Sequence, residues 1–119
     1  MKELFSYRVE TTAWPLIDSY ETEDDFVFEI DLPGMSLDEV SITVVGDLLV
    51  IEALRRSLKD ASRVNYICME RNVKGFRRVV RIPVPVNTAA AEATYAHGVV
   101  TVTFPKVKSR TITIAIQRR

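Results

Sequence analysis

Apolar and polar side chains exchange at every second position in short runs separated by turn-forming residues, and this restricts the chain to strands more firmly than any other feature. In "DFVFEIDL", Phe26, Phe28, Ile30 and Leu32 take one face while Val27, Glu29 and Asp31 take the other, and Pro33-Gly34 ends the run. Val40, Ile42 and Val44 then alternate with Ser41, Thr43 and Val45, and Gly46-Asp47 reverses the chain into Leu48 to Leu54, which predicts a hairpin. A further run, Phe76 to Ile82, ends at Pro83 and Pro85. Behind the His97-Gly98 turn, Val100, Val102 and Phe104 alternate with Val99, Thr101 and Thr103. Ile112, Ile114 and Ile116 share one face of a short terminal strand. With Trp14 to Tyr20 and Tyr66 to Arg71 added, eight or nine short strands are expected, and the fold class is all-β, an antiparallel β-sandwich. The alanine-rich segment Asn87 to Ala96 begins at a capping residue and is open between a short helix and a strand on local propensity.

A chain of 119 residues is about one domain. Its 16 Lys and Arg balance 16 Asp and Glu, which removes the electrostatic case for nucleic acid or an anionic membrane as the main partner. The apolar runs are strand-sized, and no cationic start followed by an apolar block occurs over Met1 to Trp14, so neither a signal peptide nor a membrane span is expected and the predicted location is cytoplasmic. A single cysteine, Cys68, makes no intramolecular disulfide, which fits a reducing compartment.

Little in the chain suggests chemistry. One His and one Cys, far apart, do not make a metal site, and His97 beside Gly98 reads as a turn residue. Cys68, within "NYICMER", reads as a small buried hydrophobe rather than a redox thiol. The glycines at 34, 46, 75 and 98 are scattered as turn-makers, so no phosphate-cradling loop is present, and Glu23, Asp24 and Asp25 fit a solvated loop better than an acid/base pair. Neither enzyme activity nor a cofactor is expected. Arg78 is different: it shares a strand face with Phe76, Val80 and Ile82, while Arg77 and Arg81 point outward. A guanidinium on an apolar face must be paired or placed at an interface, unless it snorkels to water from an edge strand. The terminal isoleucines leave two options, the last strand of their own sheet or burial in a groove of another subunit.

Pro15 to Thr22, Asp31-Leu32-Pro33-Gly34 with Asp38-Glu39 after it, Leu49 to Ile51 following Gly46-Asp47, Glu70-Arg71 with Phe76 and Arg78, Arg81-Ile82-Pro83, and "AHGVVTVTFPK" follow one another in order along the chain. By these residues, across about Trp14 to the C-terminus, the chain resembles the small heat-shock protein family, of bacterial type. In the last of these, Ala93, Gly98, Val99, Val100 and Val102 fill the family's Ala-x-x-x-x-Gly-Val-Leu-x-Val pattern.

The resemblance implies an immunoglobulin-like α-crystallin domain over residues 14–105, an N-terminal arm at 1–13 and a C-terminal extension at 106–119, with Ala91 to Tyr95 as a strand. It further implies a groove walled by Val40, Ile42 and Val44 on one side and Ala91, Ala93 and Tyr95 on the other, in which a neighbour's Ile-x-Ile motif, drawn from Ile112, Ile114 and Ile116, docks. The loop Arg55 to Tyr66 would be exchanged between subunits, placing Tyr66 and Ile67 with Arg78 at a homodimer interface. The function implied is that of an ATP-independent holdase for non-native client proteins, active as a homodimer or larger homo-oligomer. The alternative is a monomeric adaptor of the related CS-domain type. The glycine of "ERNVKGFRR" falls one place later than is usual, which bears on the local turn there; separately, the 13 residues before Trp14 are fewer than the family often carries, which argues against a large, polydisperse assembly. The tether after Pro105 is also shorter than in many members, although six extended residues still reach roughly 20 Å.

Overall fold

A computed structural model of the chain describes residues 14–53, 63–71, 75–108 and 113–119. Seven strands are present among them: β1 (Ile17–Glu21), β2 (Asp25–Asp31), β3 (Val40–Val45), β4 (Leu48–Ala53), β5 (Phe76–Arg81), β6 (Glu92–Ala96) and β7 (Val99–Pro105). They form two antiparallel sheets, one ordered β1-β2-β7-β6 and the other β3-β4-β5. No α-helix occurs among the described residues.

The period-two pattern sets the layers. Phe26, Phe28 and Ile30 of β2, Val100, Val102 and Phe104 of β7, and Leu49, Ile51 and Ala53 of β4 face inward and are buried, with Leu32, Met35 and Ile82 completing the core. Phe28 lies edge-on to Phe26 and Phe104, at centroid distances of 5.2 and 6.0 Å. Two-residue turns join the β3–β4 and β6–β7 hairpins. Gly46 takes φ +63° between Val45 and Leu48, and His97 and Gly98 take φ +54° and +80° between Ala96 and Val99, the left-handed pair that a tight hairpin turn requires. A Cβ on Gly98 would also lie 3.4 Å from the Pro33 Cα.

The ambiguous segment resolves into both of its options in turn. Asn87 caps a single 3-10 turn, Thr88–Ala90, by accepting the Ala89 N–H at 3.2 Å, and the chain then pairs with β7 as β6. Pairing with an existing edge outweighs alanine's helical propensity here.

Three sequence expectations differ from the structure. Tyr66 to Arg71 is not a strand: residues 63–71 lie outside both sheets, and a strand needs a neighbour that this segment does not find among the described residues. For the same reason Cys68 is exposed, with no layer to pack beneath. Residues 113–119 form no strand either, so Ile114 and Ile116 belong to neither sheet, while Ile112 lies outside the described residues.

Candidate functional site

The long sides of the sandwich are finished by different residues. On the β5 side, Trp14 packs edge-on against Phe76 at 5.1 Å, and the Arg78 guanidinium, half-buried and facing inward opposite Ile51, donates from Nη1 to the Pro15 carbonyl oxygen at 2.6 Å. Arg78 is therefore paired, and among the described residues its partner is a backbone carbonyl of its own chain and not a carboxylate. Its outward neighbours meet carboxylates instead, Arg77 with Glu52 at 3.2 Å and Arg81 with Asp47 at 3.4 Å.

The opposite side is open. β3 is an edge strand of one sheet and β6 an edge strand of the other. Val40, Ile42 and Val44 lie opposite the buried Ala53, Ile51 and Leu49, so they belong to the inward face, yet each is only half-buried. On β6, Ala93 and Tyr95 lie opposite the buried Val102 and Val100 and are inward-facing by the same register, yet both are exposed, Tyr95 at 38%. Ala91, just before β6, is half-buried against the core. Directly opposed residues of an antiparallel pair share a face. Inward positions on the two uncovered edges are thus left with apolar surface that the opposite sheet does not reach. The alanines keep the β6 wall low.

The C-terminal segment leaves from a different corner. Val86 bridges to Lys106, the Lys106 N–H donates to the Asp24 carbonyl at 2.8 Å, and the Val107 N–H to the Pro85 carbonyl at 3.0 Å. Lys106 Nζ reaches Glu21 Oε1 at 3.0 Å and the Thr22 carbonyl at 2.9 Å, while Lys108 Nζ reaches Asp24 Oδ1 at 2.9 Å. The hydrogen bond and charge of Lys108 hold the Asp24 carboxyl below its ordinary value, and Asp24 raises Lys108 in return. Sequence reading placed Asp24 in a solvated loop and missed these pairs. Opposite charges were the only available signal, and Lys108 and Asp24 are 84 positions apart along the chain. A cleft of about 520 Å³ between Val86 to Ala89 and Pro105 to Lys108 lies at this exit.

Beyond it, Ile114 and Ile116 are 82% and 95% exposed; Ile112 lies outside the described residues. Tyr66 and Ile67 are exposed at 46% and 90%, and residues 54–62, most of the anticipated exchange loop, also lie outside them. Among the described residues there is no cluster of His, Cys, Asp and Glu that would hold a metal, and no helix long and apolar enough to cross a membrane.

Among the described residues the chain is thus a small antiparallel sandwich with two uncovered apolar edges and an isoleucine-bearing tail outside both sheets. The chain belongs to the Hsp20/alpha crystallin family, whose model matches residues 18–117. It is 36% identical over 94 residues to the 17.6 kDa class I heat shock protein 1 of Arabidopsis thaliana, covering 78% of this chain and 61% of that protein. It is 26% identical over 102 residues to small heat shock protein C2 of Rickettsia felis, covering 86% and 66%. The chain thus spans somewhat under two thirds of the length of these curated relatives. Among solved structures, heat shock protein 16.0 from Schizosaccharomyces pombe superposes with a TM-score of 0.73 at 28% identity, covering 87% of this chain and 97% of that one. A small heat-shock protein from Xylella fastidiosa, described as having a distinct high order structure, shares the fold at a TM-score of 0.73 and 24% identity, covering 90% and 97%.

Proposed function

We propose that this chain is a cytoplasmic holdase that binds partly unfolded proteins without ATP and keeps them from aggregating. Non-native chains expose apolar side chains and unpaired strand edges, and an uncovered apolar edge is suited to both. The observation that carries the reading is the row of inward-facing Val40, Ile42, Val44, Ala93 and Tyr95 left exposed or half-buried at the open side. In the resting assembly the same row receives the isoleucine tail of another subunit, drawn from Ile112, Ile114 and Ile116, so that docking and client binding compete.

The homodimer forms by exchange of the loop at residues 55–66, with Tyr66, Ile67 and Arg78 at its interface. The exposure of Tyr66 and Ile67 in the single chain supports this, since both are large apolar groups without cover. The adaptor alternative gains no support from the family match, which runs through Gln117 and so includes the tail.

The test is light scattering from reduced insulin, followed with and without an equimolar amount of this chain and no nucleotide. Suppression is expected; scattering unchanged at a fivefold excess of chain would remove the holdase reading. Deleting residues 55–65 should yield folded monomers by native mass measurement, and a persisting dimer would remove the exchange.

A further inference from the structure

The overall charge balance conceals a segregation along the chain. From Trp14 to Ala53 there is no Lys or Arg, and after Glu92 there is no Asp or Glu. Two of the late cations, Lys106 and Lys108, are held within their own subunit by Glu21 and Asp24. Arg118 lies two places beyond the exposed Ile116 and has no carboxylate partner among the described residues. A candidate partner sits at one end of β3. Asp38 occupies the 3-10 turn Leu37–Glu39 that leads directly into Val40; its backbone N–H donates to Ser36 Oγ at 3.3 Å, while its side chain is exposed and meets no cation among the described residues.

We infer that Arg118 of one subunit and Asp38 of another set the direction and register of tail docking, the tail lying antiparallel to β3 with Ile116 opposite Val40, Ile114 opposite Ile42 and Arg118 opposite Asp38. This rests on the docking reading above and specifies it. Antiparallel partners advance in opposite senses by equal steps, so 114, 116 and 118 map onto 42, 40 and 38, and all three tail residues fall on one face. The long guanidinium stem takes up the offset where the 3-10 turn departs from the line of the strand.

The competing arrangements are poorer. A shift of two residues, which docks Ile112 and Ile114 at Ile42 and Val40, sets Ile116 against the solvated Asp38 carboxylate. A parallel tail brings its arginines to the Gly46-Asp47 end, where Asp47 is already paired with Arg81. Glu92 is no substitute, because it lies opposite Thr103 on the outer face of the other sheet.

The test uses the full chain carrying Arg118→Lys, assembled from isotopically light and heavy subunits and treated with a zero-length carbodiimide. Coupling of the introduced amine to Asp38 between subunits is expected. Coupling to Asp47 or Glu92, or none between subunits, overturns the assignment. In parallel, Asp38→Lys or Arg118→Asp should weaken assembly beyond the dimer by about two- to fivefold per contact, and combining the two should restore it. Thermal unfolding shows whether the variants fold; should Asp38→Lys not fold, Asp38→Asn takes its place and should weaken assembly in the same direction. If Ile114→Ala with Ile116→Ala leaves the assembly mass unaltered, the docking reading itself fails. If that pair abolishes assembly while the charge changes leave it intact, only the Arg118–Asp38 assignment fails.

Discussion

On the β5 side of the sandwich, Trp14 covers Phe76 and Pro15 takes a hydrogen bond from Arg78, so the inward row of that edge strand is finished by residues that lead into β1. On the β3 side, the inward rows of β3 and β6 have the same alternation and the same register with buried neighbours, yet nothing among the described residues finishes them. Apolar exposure at the open side is therefore not a defect of its strand pattern. It reflects the lack of a covering segment among the described residues, and an apolar row left uncovered is surface suited to a second chain. The closed side should carry the stability of the fold and the open side association beyond the dimer.

Substitutions can break that division. The largest expected effect on folding is at the closed side: Phe76→Ala removes a ring packed on the core and on Trp14, and should lower unfolding free energy by about 2–4 kcal/mol in urea titration. Tyr95→Ala on the open side should change it by less than about 0.5 kcal/mol, and comparable losses at the two positions would erase the contrast. Arg78→Ala comes next. It leaves the Pro15 carbonyl without this donor, for about 1–3 kcal/mol, whereas Arg77→Ala breaks only an exposed ion pair worth at most about 1 kcal/mol. Equal effects at 77 and 78 would show the inward hydrogen bond to contribute nothing.

Smaller still on folding, but decisive for association, is Ile114→Ala with Ile116→Ala. Unfolding of the dimer should stay within about 0.5 kcal/mol, because both side chains are exposed in the single chain, while any assembly larger than a dimer should be lost in native mass measurement.

The smallest effect concerns the tail exit. Asp24 is held below its ordinary carboxylate value, so its contribution is present in full above the unfolded-state value and is lost as pH falls through the depressed native one. Near neutral pH the Lys108–Asp24 pair should be insensitive to pH. Weakening should begin only in the acid range, seen as loss of amide protection at Lys106 and Val107 relative to the intrinsic exchange rate at each pH, and a loss of protection already between pH 6 and 8 would contradict the pairing.

The period-two runs predict β2, β3, β4, β5 and β7 because side-chain direction in a strand is a local property that one sequence displays directly. The tight turns were equally plain, since Gly46, His97 and Gly98 are residue types that tolerate positive φ. The inward identity of Val40, Ile42 and Val44 also follows from alternation. Local sequence did not decide whether Asn87 to Ala96 would be helix or strand, because alanine favours helix until an edge offers hydrogen bonds. It did not reveal that Tyr66 to Arg71 and the terminal isoleucines find no sheet of their own, because strand propensity says nothing about whether a partner is within reach. Nor did it show Arg78 turning to the Pro15 carbonyl or Lys108 to Asp24, pairs 63 and 84 positions apart in sequence. Facing is written residue by residue along the chain, whereas closure depends on which distant segment arrives at an edge. Tertiary structure alone decided that one side of this sandwich is covered and the other left open.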